Sequence, residues 1–397
     1  MKDKKIVNQK IVYTLFILFV YMVGKNIPLF QVNYGFHRNE MIDAEALLMQ
    51  TIGGDIHQCS IFALGVSPYM IASIIVQILS AFRDYKTRSK ISQTKTNRLT
   101  LFFMMIIAVL QAKMRVGDLQ FQVEGTMLVL AKYIATLELV TGASMILWMC
   151  SKNKSYGIGG QSALIFVNVI DGIRASLKGN EIGTLIVPLL LSLVVLVVMI
   201  FMENSEVRIG VQRISIHNIY EDKNYLAIKL NPIGVMPAMF SAAFFMVPQI
   251  LLSVLTWFMP QSEKLLWWKE NMTLNHPLGI ITYALILYIL TIGFSRIFIS
   301  PADLTEQYLK SGDSLVGIHA GKETKRYLSR VITGTSILSA FVMSICLSIP
   351  LMLQMIGAMD SSLASLPSSV MILTGIWCNL NSEIEAIKGF DSYKTFI

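Results

Sequence analysis

Charge is what this chain has least of: only 15% of its 397 residues are Asp, Glu, Lys or Arg, where a soluble domain carries about 25%. That composition excludes an ordinary water-soluble globule. Cysteine is scarce as well. Cys59, Cys150, Cys346 and Cys378 show neither close paired spacing nor histidine partners, so they define no disulfide framework and no metal site, and packing is their expected role. The signatures of catalysis are missing too. There is no His-Glu-x-x-His, no Gly-x-Ser-x-Gly and no Cys-x-x-Cys. "HAGKET" offers Gly321-Lys322, but Glu323 stands where a phosphate loop needs Ser or Thr, and Val316 stands where it needs its first glycine. "GGD" at Gly53 to Asp55 has a membrane aspartyl protease's glycine-aspartate without a second aspartate motif. The chain is therefore expected to be no enzyme, with no cofactor and no metal.

What is present is apolar: 54% of the residues are hydrophobic and the mean hydropathy is +0.59. Windows of about 19 residues, judged against the roughly 20 apolar residues a membrane helix needs, give ten candidate spans. They lie near 11–29, 61–82, 99–115, 127–149, 158–176, 182–202, 233–257, 278–299, 331–354 and 367–387. The expected fold class is an all-α polytopic membrane protein. The start "MKDKKIVNQK" leads into the first window without a small-x-small cleavage pattern and reads as an uncleaved first span.

Basic residues gather on the cytoplasmic side of membrane proteins. With the N-terminus inside, 23 Lys and Arg fall in inner segments and 8 in outer loops, Lys25 among the latter. Both termini are then cytoplasmic and the protein is multi-pass in the cell membrane. A net charge of +8 suits an anionic inner leaflet and calls for no nucleic acid.

Three inner segments exceed what a connection needs. Residues 83–98 are polar and basic. Residues 203–232 alternate apolar and polar side chains like a hairpin with "EDKN" at its turn. In 300–330, Ser300-Pro301 opens a short helix, Gly312 ends it, and a glycine-containing loop precedes another helix start. The last two suit a soluble partner.

"GVSPYM" (65–70) has an echo in "GVMPAM" (234–239), where a Gly-x-x-Pro breaks an apolar run. Each falls in the second span of five, so the chain reads as two halves, 1–180 and 181–397. Five being odd, the halves are inverted relative to one another, as in many transporting folds. Four identities in six arise by chance; the matched placement carries the reading. Val66 and Met70, and Val235 and Met239, stand at i and i+4 on one face. Such side chains are ordinary core residues or, at a pseudo-axis, a greasy constriction that holds back water and ions by dewetting. A solute transporter, the rival reading, needs polar groups near the midplane. Lys132, Glu138, Asn168 and Asp171 are candidates, although packing or snorkelling explains Lys132 and Glu138, and the broken spans carry no set of counter-charges.

The stretch "GGDIHQCSIFALGVSPYMIASIIVQILS" closely resembles the SecY protein-translocation channel family. The resemblance continues in order through "GIGGQSALIFVNVI", "VRIGVQRISI", "LAIKLNPIGVMPAMFSAAFFMVPQ", "GDSLVGIHAGKETKRYLSRV" and "SSVMILTGIWCNLNSEIEAI". It implies ten transmembrane helices in two inverted pseudo-symmetric halves around an hourglass pore. It further implies a constriction ring of Val66, Met70, Ile165, Val169, Val235, Met239 and Ile372, and a plug helix around Gly53, Gly54, Asp55, Ile56, Ser60 and Ile61. A lateral gate would lie between spans two and three and spans seven and eight. Arg208, Arg213, His319, Lys322, Lys325 and Arg326 would dock a SecA-type ATPase motor, and small membrane partner subunits are compatible with the family. Three departures stand out: His319 replaces an arginine usual in the family, Val207-Arg208 replaces an Arg-Arg pair, and "GIGGQ" replaces "GIGNG". They point to the accessory branch of the family in Gram-positive bacteria, which works with an accessory motor on serine-rich glycosylated adhesins.

Overall fold

A computed structural model describes residues 2–33, 59–81, 93–177, 182–212, 224–259 and 262–393. An α-helix lies over each of the ten apolar windows. These are α1 (Lys2–Gly24), α2 (Ser67–Ala81), α3 (Gln93–Asp118), α4 (Thr126–Tyr156), α5 (Gly160–Leu177), α6 (Ile182–Asn204), α7 (Met236–Phe258), α9 (Pro277–Phe298), α11 (Lys322–Met355) and α13 (Leu366–Tyr393). Between them come α8 (Glu263–Asn271), α10 (Pro301–Ser311) and α12 (Ser361–Ala364), with strands β1 (Glu206–Gln212), β2 (Tyr225–Lys229) and β3 (Ser314–Leu315). Among the described residues, seven helices are long and apolar enough to cross a membrane. Their exposed faces carry large apolar side chains such as Phe16, Phe102, Leu190, Ile281 and Phe341, a pattern stable only against lipid.

The chain divides into two compact units, Met1–Ile182 with Ser361–Ile397, and Gly183–Asp360. This division by packing differs from the division at residue 180 by span order in the place of α13. That helix packs on α5 and α1, so assigning it to the second of two inverted halves is a matter of symmetry and not of packing.

In the first unit small residues set the helix spacing. Met104, Ala108, Ala112 and Val116 recur every four residues on α3, facing Ala135, Leu139 and Ala143 of α4. Small side chains let membrane helices approach closely where no hydrophobic drive separates them from lipid. Two glycines go further. A Cβ on Gly142 would stand 2.0 Å from the Ile61 carbonyl oxygen, and one on Gly24 would stand 2.0 Å from the Phe62 ring. The segment leading into α2 thus lodges against α1 and α4. Phe62 stacks on Tyr21 with ring centroids 5.8 Å apart, and Leu29 N–H donates to the Cys59 carbonyl at 2.9 Å.

In the second unit, β1 pairs antiparallel with β2 from Glu206↔Lys229 to Gly210↔Tyr225, as the alternation predicts. Ile209, Val211 and Ile228 turn inward onto Leu315, Leu328 and Ile332. The short helix also forms as read: the Ser300 side chain accepts from Asp303 N–H, Pro301 fills the first turn, and Gly312 is left-handed at φ 75°. The sequence reading missed β3, whose Leu315 and Ser314 pair with Val211 and Gln212. The resulting sheet, ordered β2-β1-β3, joins the two long loops.

Candidate functional site

The two echoing stretches have the same backbone form. Gly65 has φ 56° and Gly234 φ 70°, a left-handed conformation that favours glycine. The Val66 carbonyl accepts from Met70 N–H at 3.1 Å, and the Val235 carbonyl accepts from Met239 N–H at 3.1 Å. Each helix starts at this point, α2 at Ser67 and α7 at Met236. The expected break inside a span is therefore a helix beginning. Pro68 and Pro237 sit in first turns, where a missing N–H leaves no intrahelical bond unmade. The 15 described residues of α2 rise about 22 Å at 1.5 Å per residue.

All seven ring candidates are buried. In the first unit Val66, Met70, Ile165, Val169 and Ile372 are each 1% exposed, and in the second Val235 is 1% and Met239 5% exposed. Ile165 and Val169 ride on α5 and Ile372 on α13, two helices that pack together. Of the plug candidates, Gly53, Gly54, Asp55 and Ile56 lie outside the described residues. Ser60 forms an isolated bridge with Pro28, and Ile61 opens a run of turns, so neither is helical.

The loop candidates share one unit. Arg208 is exposed on β1, where its Nε donates to Glu206 Oε1 at 2.7 Å and its guanidinium lies over the Tyr225 ring at 4.7 Å. That hydrogen bond pushes the Arg208 pKa further above its usual value. Lys322, Lys325 and Arg326 are exposed in the opening turns of α11, an end where the helix dipole disfavours cations. Helix stability therefore does not explain them. His319 is exposed and its carbonyl accepts from Thr324 Oγ1 at 2.9 Å. Arg213 lies outside the described residues.

Two polar nodes escaped the sequence reading. Lys25, counted above as an outer-loop charge, is 4% exposed. Its Nζ donates to Asp171 Oδ2 at 2.6 Å and to Asn168 Oδ1 at 3.0 Å, and Tyr21 donates to the same Asn168 oxygen at 2.8 Å. Asn168 and Asp171 thus bind α5 to the end of α1. Glu138 accepts from Phe30 N–H at 2.9 Å, a bond that holds the chain after α1 against α4. The second node is Asn153, wholly buried. Its amide donates to the Ile158 and Gly160 carbonyls at 2.9 Å each while Thr14 donates to its oxygen at 2.9 Å, so the "GIGGQ" turn wraps around it. Glu383 on α13 takes the Gly159 N–H at 2.9 Å. Among the described residues no group of three or more His, Cys, Asp or Glu could hold a metal, and none of the four cysteines is in a disulfide.

The helical bundle, with irregular backbone opening two of its helices beside buried Val and Met, is that of a multi-pass membrane protein built like a protein-conducting channel. The sequence profile of SecY matches residues 60–380, and the chain belongs to the SecY family. It is 27% identical over 99% of both chains to the accessory Sec system protein translocase subunit SecY2 of Streptococcus sanguinis. It is 26% identical over 98% of both to the subunit of that name from Streptococcus salivarius. Its fold is similar to a solved protein conducting channel, with a TM-score of 0.67 at 16% identity over 96% of this chain and 93% of the other. It is also similar to Sec61 in a canine ribosome-channel complex, with a TM-score of 0.58 at 16% identity over 96% and 93%. These relatives are named as translocase subunits and channels and not as enzymes, which agrees with the missing catalytic motifs.

Proposed function

We propose that this protein is the channel subunit of a preprotein translocase in the cytoplasmic membrane. Its ten spans form two inverted halves, with both termini in the cytoplasm. The observation that carries the reading is the repeated helix start at Gly65 and Gly234, which delivers buried Val66, Met70, Val235 and Met239 in the same local geometry. An extended chain in transit carries peptide groups that each cost several kcal/mol if bared to hydrocarbon, so it needs a watery path. Between substrates that path must shut against ions. An aliphatic ring with adaptable Met side chains, completed by Ile165, Val169 and Ile372, meets both demands, with the stretch from Gly53 to Ile61 as the plug. A stalled secretory chain is expected to cross-link to cysteines placed at Met70 and Met239 and not to lipid-facing controls such as Phe102. Labelling of the controls alone would refute the channel.

The exposed basic groups of the two long loops are the docking site of a SecA-type ATPase, which supplies the hydrolysis this chain has no motif for. Full-length relatives named as accessory Sec subunits, with His319 in place of the usual arginine, favour the accessory motor and serine-rich glycosylated adhesin substrates. Charge reversal at Arg208 or Lys322 is expected to weaken motor binding on the order of tenfold, about 1.4 kcal/mol, while leaving the melting temperature unchanged. Unaltered affinity for both housekeeping and accessory motors, measured on reconstituted protein, would exclude this surface.

A further inference from the structure

Asn231 sits where the first long loop returns to the membrane. Five residues, 230 to 234, separate the end of β2 from Val235. The hairpin base is closed by Leu230 N–H donating to the Ser205 carbonyl at 2.9 Å. Pro232 fixes its own φ and restricts Asn231 before it, and Gly234 supplies the left-handed turn that follows. The Asn231 side chain is 1% exposed. Its Nδ2 donates to Glu203 Oε1 at 2.8 Å, and its Oδ1 accepts from Ser339 Oγ at 2.8 Å. One amide therefore ties the last turn of α6, the linker and the middle of α11 together. Glu203 is itself buried, with Lys229 Nζ 4.0 Å from its other oxygen.

The chemistry admits an amide here and little else. The Glu203 carboxylate accepts on one side and the Ser339 hydroxyl donates on the other, so position 231 donates and accepts at once, as an amide can. We infer that Asn231 is a positioning residue for the constriction. It fixes the Val235–Met239 segment to α6 and α11, so that displacement of the hairpin base reaches the ring through it. This rests on the channel reading above.

The wild-type full chain and its variants are to be reconstituted in lipid vesicles without a motor, and chloride efflux followed well below every melting midpoint. Asn231→Asp sets two carboxylates together and is expected to speed efflux at least tenfold. Adding Glu203→Gln restores a donor facing an acceptor, now with amide and carboxylate exchanged, and is expected to bring efflux back within twofold of wild type. Ser339→Ala removes only one of the two bonds and should leak to an intermediate degree. It carries the test if Asn231→Asp does not fold. Wild-type efflux in every folded variant, or a double variant as leaky as Asn231→Asp, would overturn the proposal. The stalled-chain cross-links at Met70 and Met239, made in the same preparation, separate the two readings. Cross-links without any difference in leak refute the role of Asn231 alone, and absent cross-links refute the channel.

Discussion

Replacing Asp171 with alanine is expected to destabilise the first unit by about 3 kcal/mol, whereas replacing Lys25 with methionine should cost about 1. The asymmetry follows from burial. The Lys25 side chain is 5% exposed and that of Asp171 33%. Taking away the carboxylate leaves an ammonium in the interior without the anion that stood 2.6 Å from it. Taking away the ammonium leaves a carboxylate that water reaches, and methionine refills most of the lysine stem. Removing one partner of a buried pair costs roughly 3–5 kcal/mol; partial exposure of Asp171 places this pair at the lower end. Melting or denaturant midpoints of the detergent-solubilised variants check the order, and a Lys25→Met variant as damaged as Asp171→Ala would contradict it. The pair joins the end of α1 to α5 two residues beyond Val169 and six beyond Ile165, so its loss also frees the helix carrying two ring candidates.

Asn153→Ala is expected to cost about 3 kcal/mol, and Asn153→Asp no less. The alanine leaves the buried Ile158 and Gly160 carbonyls without the amide that serves both, at roughly 1–3 kcal/mol for each unsatisfied group. The aspartate fares no better, because an ionised carboxylate cannot donate to a carbonyl. Thr14→Val removes the hydroxyl that donates to Asn153 and accepts from Ile158 N–H at 2.8 Å, and should cost about 1 kcal/mol. Gly157 cannot carry a side chain here, since its Cβ would stand 2.0 Å from Asn153 Oδ1. The same melting series reads the order, and equal midpoints for Asn153→Ala and Thr14→Val would remove Asn153 from the centre of the turn.

The parts of the fold written in local chemistry were legible in the sequence. Ser300, Pro301 and Gly312 mark a helix because capping depends on neighbours a few residues away. The alternation of 206–212 marks a strand because one face must be dry. Gly65 and Gly234 announced a backbone irregularity, yet whether a proline breaks a helix or starts one depends on what precedes it, and the sequence reading placed it inside the span. The burial of Lys25 was hidden because a charge count knows position in the chain and not depth. Asn153 and Asn231 were equally hidden: a lone asparagine has no signature until two carbonyls, or a carboxylate and a hydroxyl, arrive from distant segments. The strand β3 is two residues long, too short for any periodicity. Of the ring candidates, Val66, Met70, Val235 and Met239 stood out by their spacing, whereas Ile165, Val169 and Ile372 came only from resemblance to a family.

That two-residue strand has a consequence for recognition. Residues from about 206 and from about 315, a hundred positions apart, share one sheet, so the exposed Arg208 and the opening turns of α11 belong to a single rigid platform. A protein that grips both surfaces meets a footprint already ordered when the chain folded. The conformational entropy of two independent loops does not have to be surrendered at the moment of contact. Binding to such a surface can then be brief and repeated.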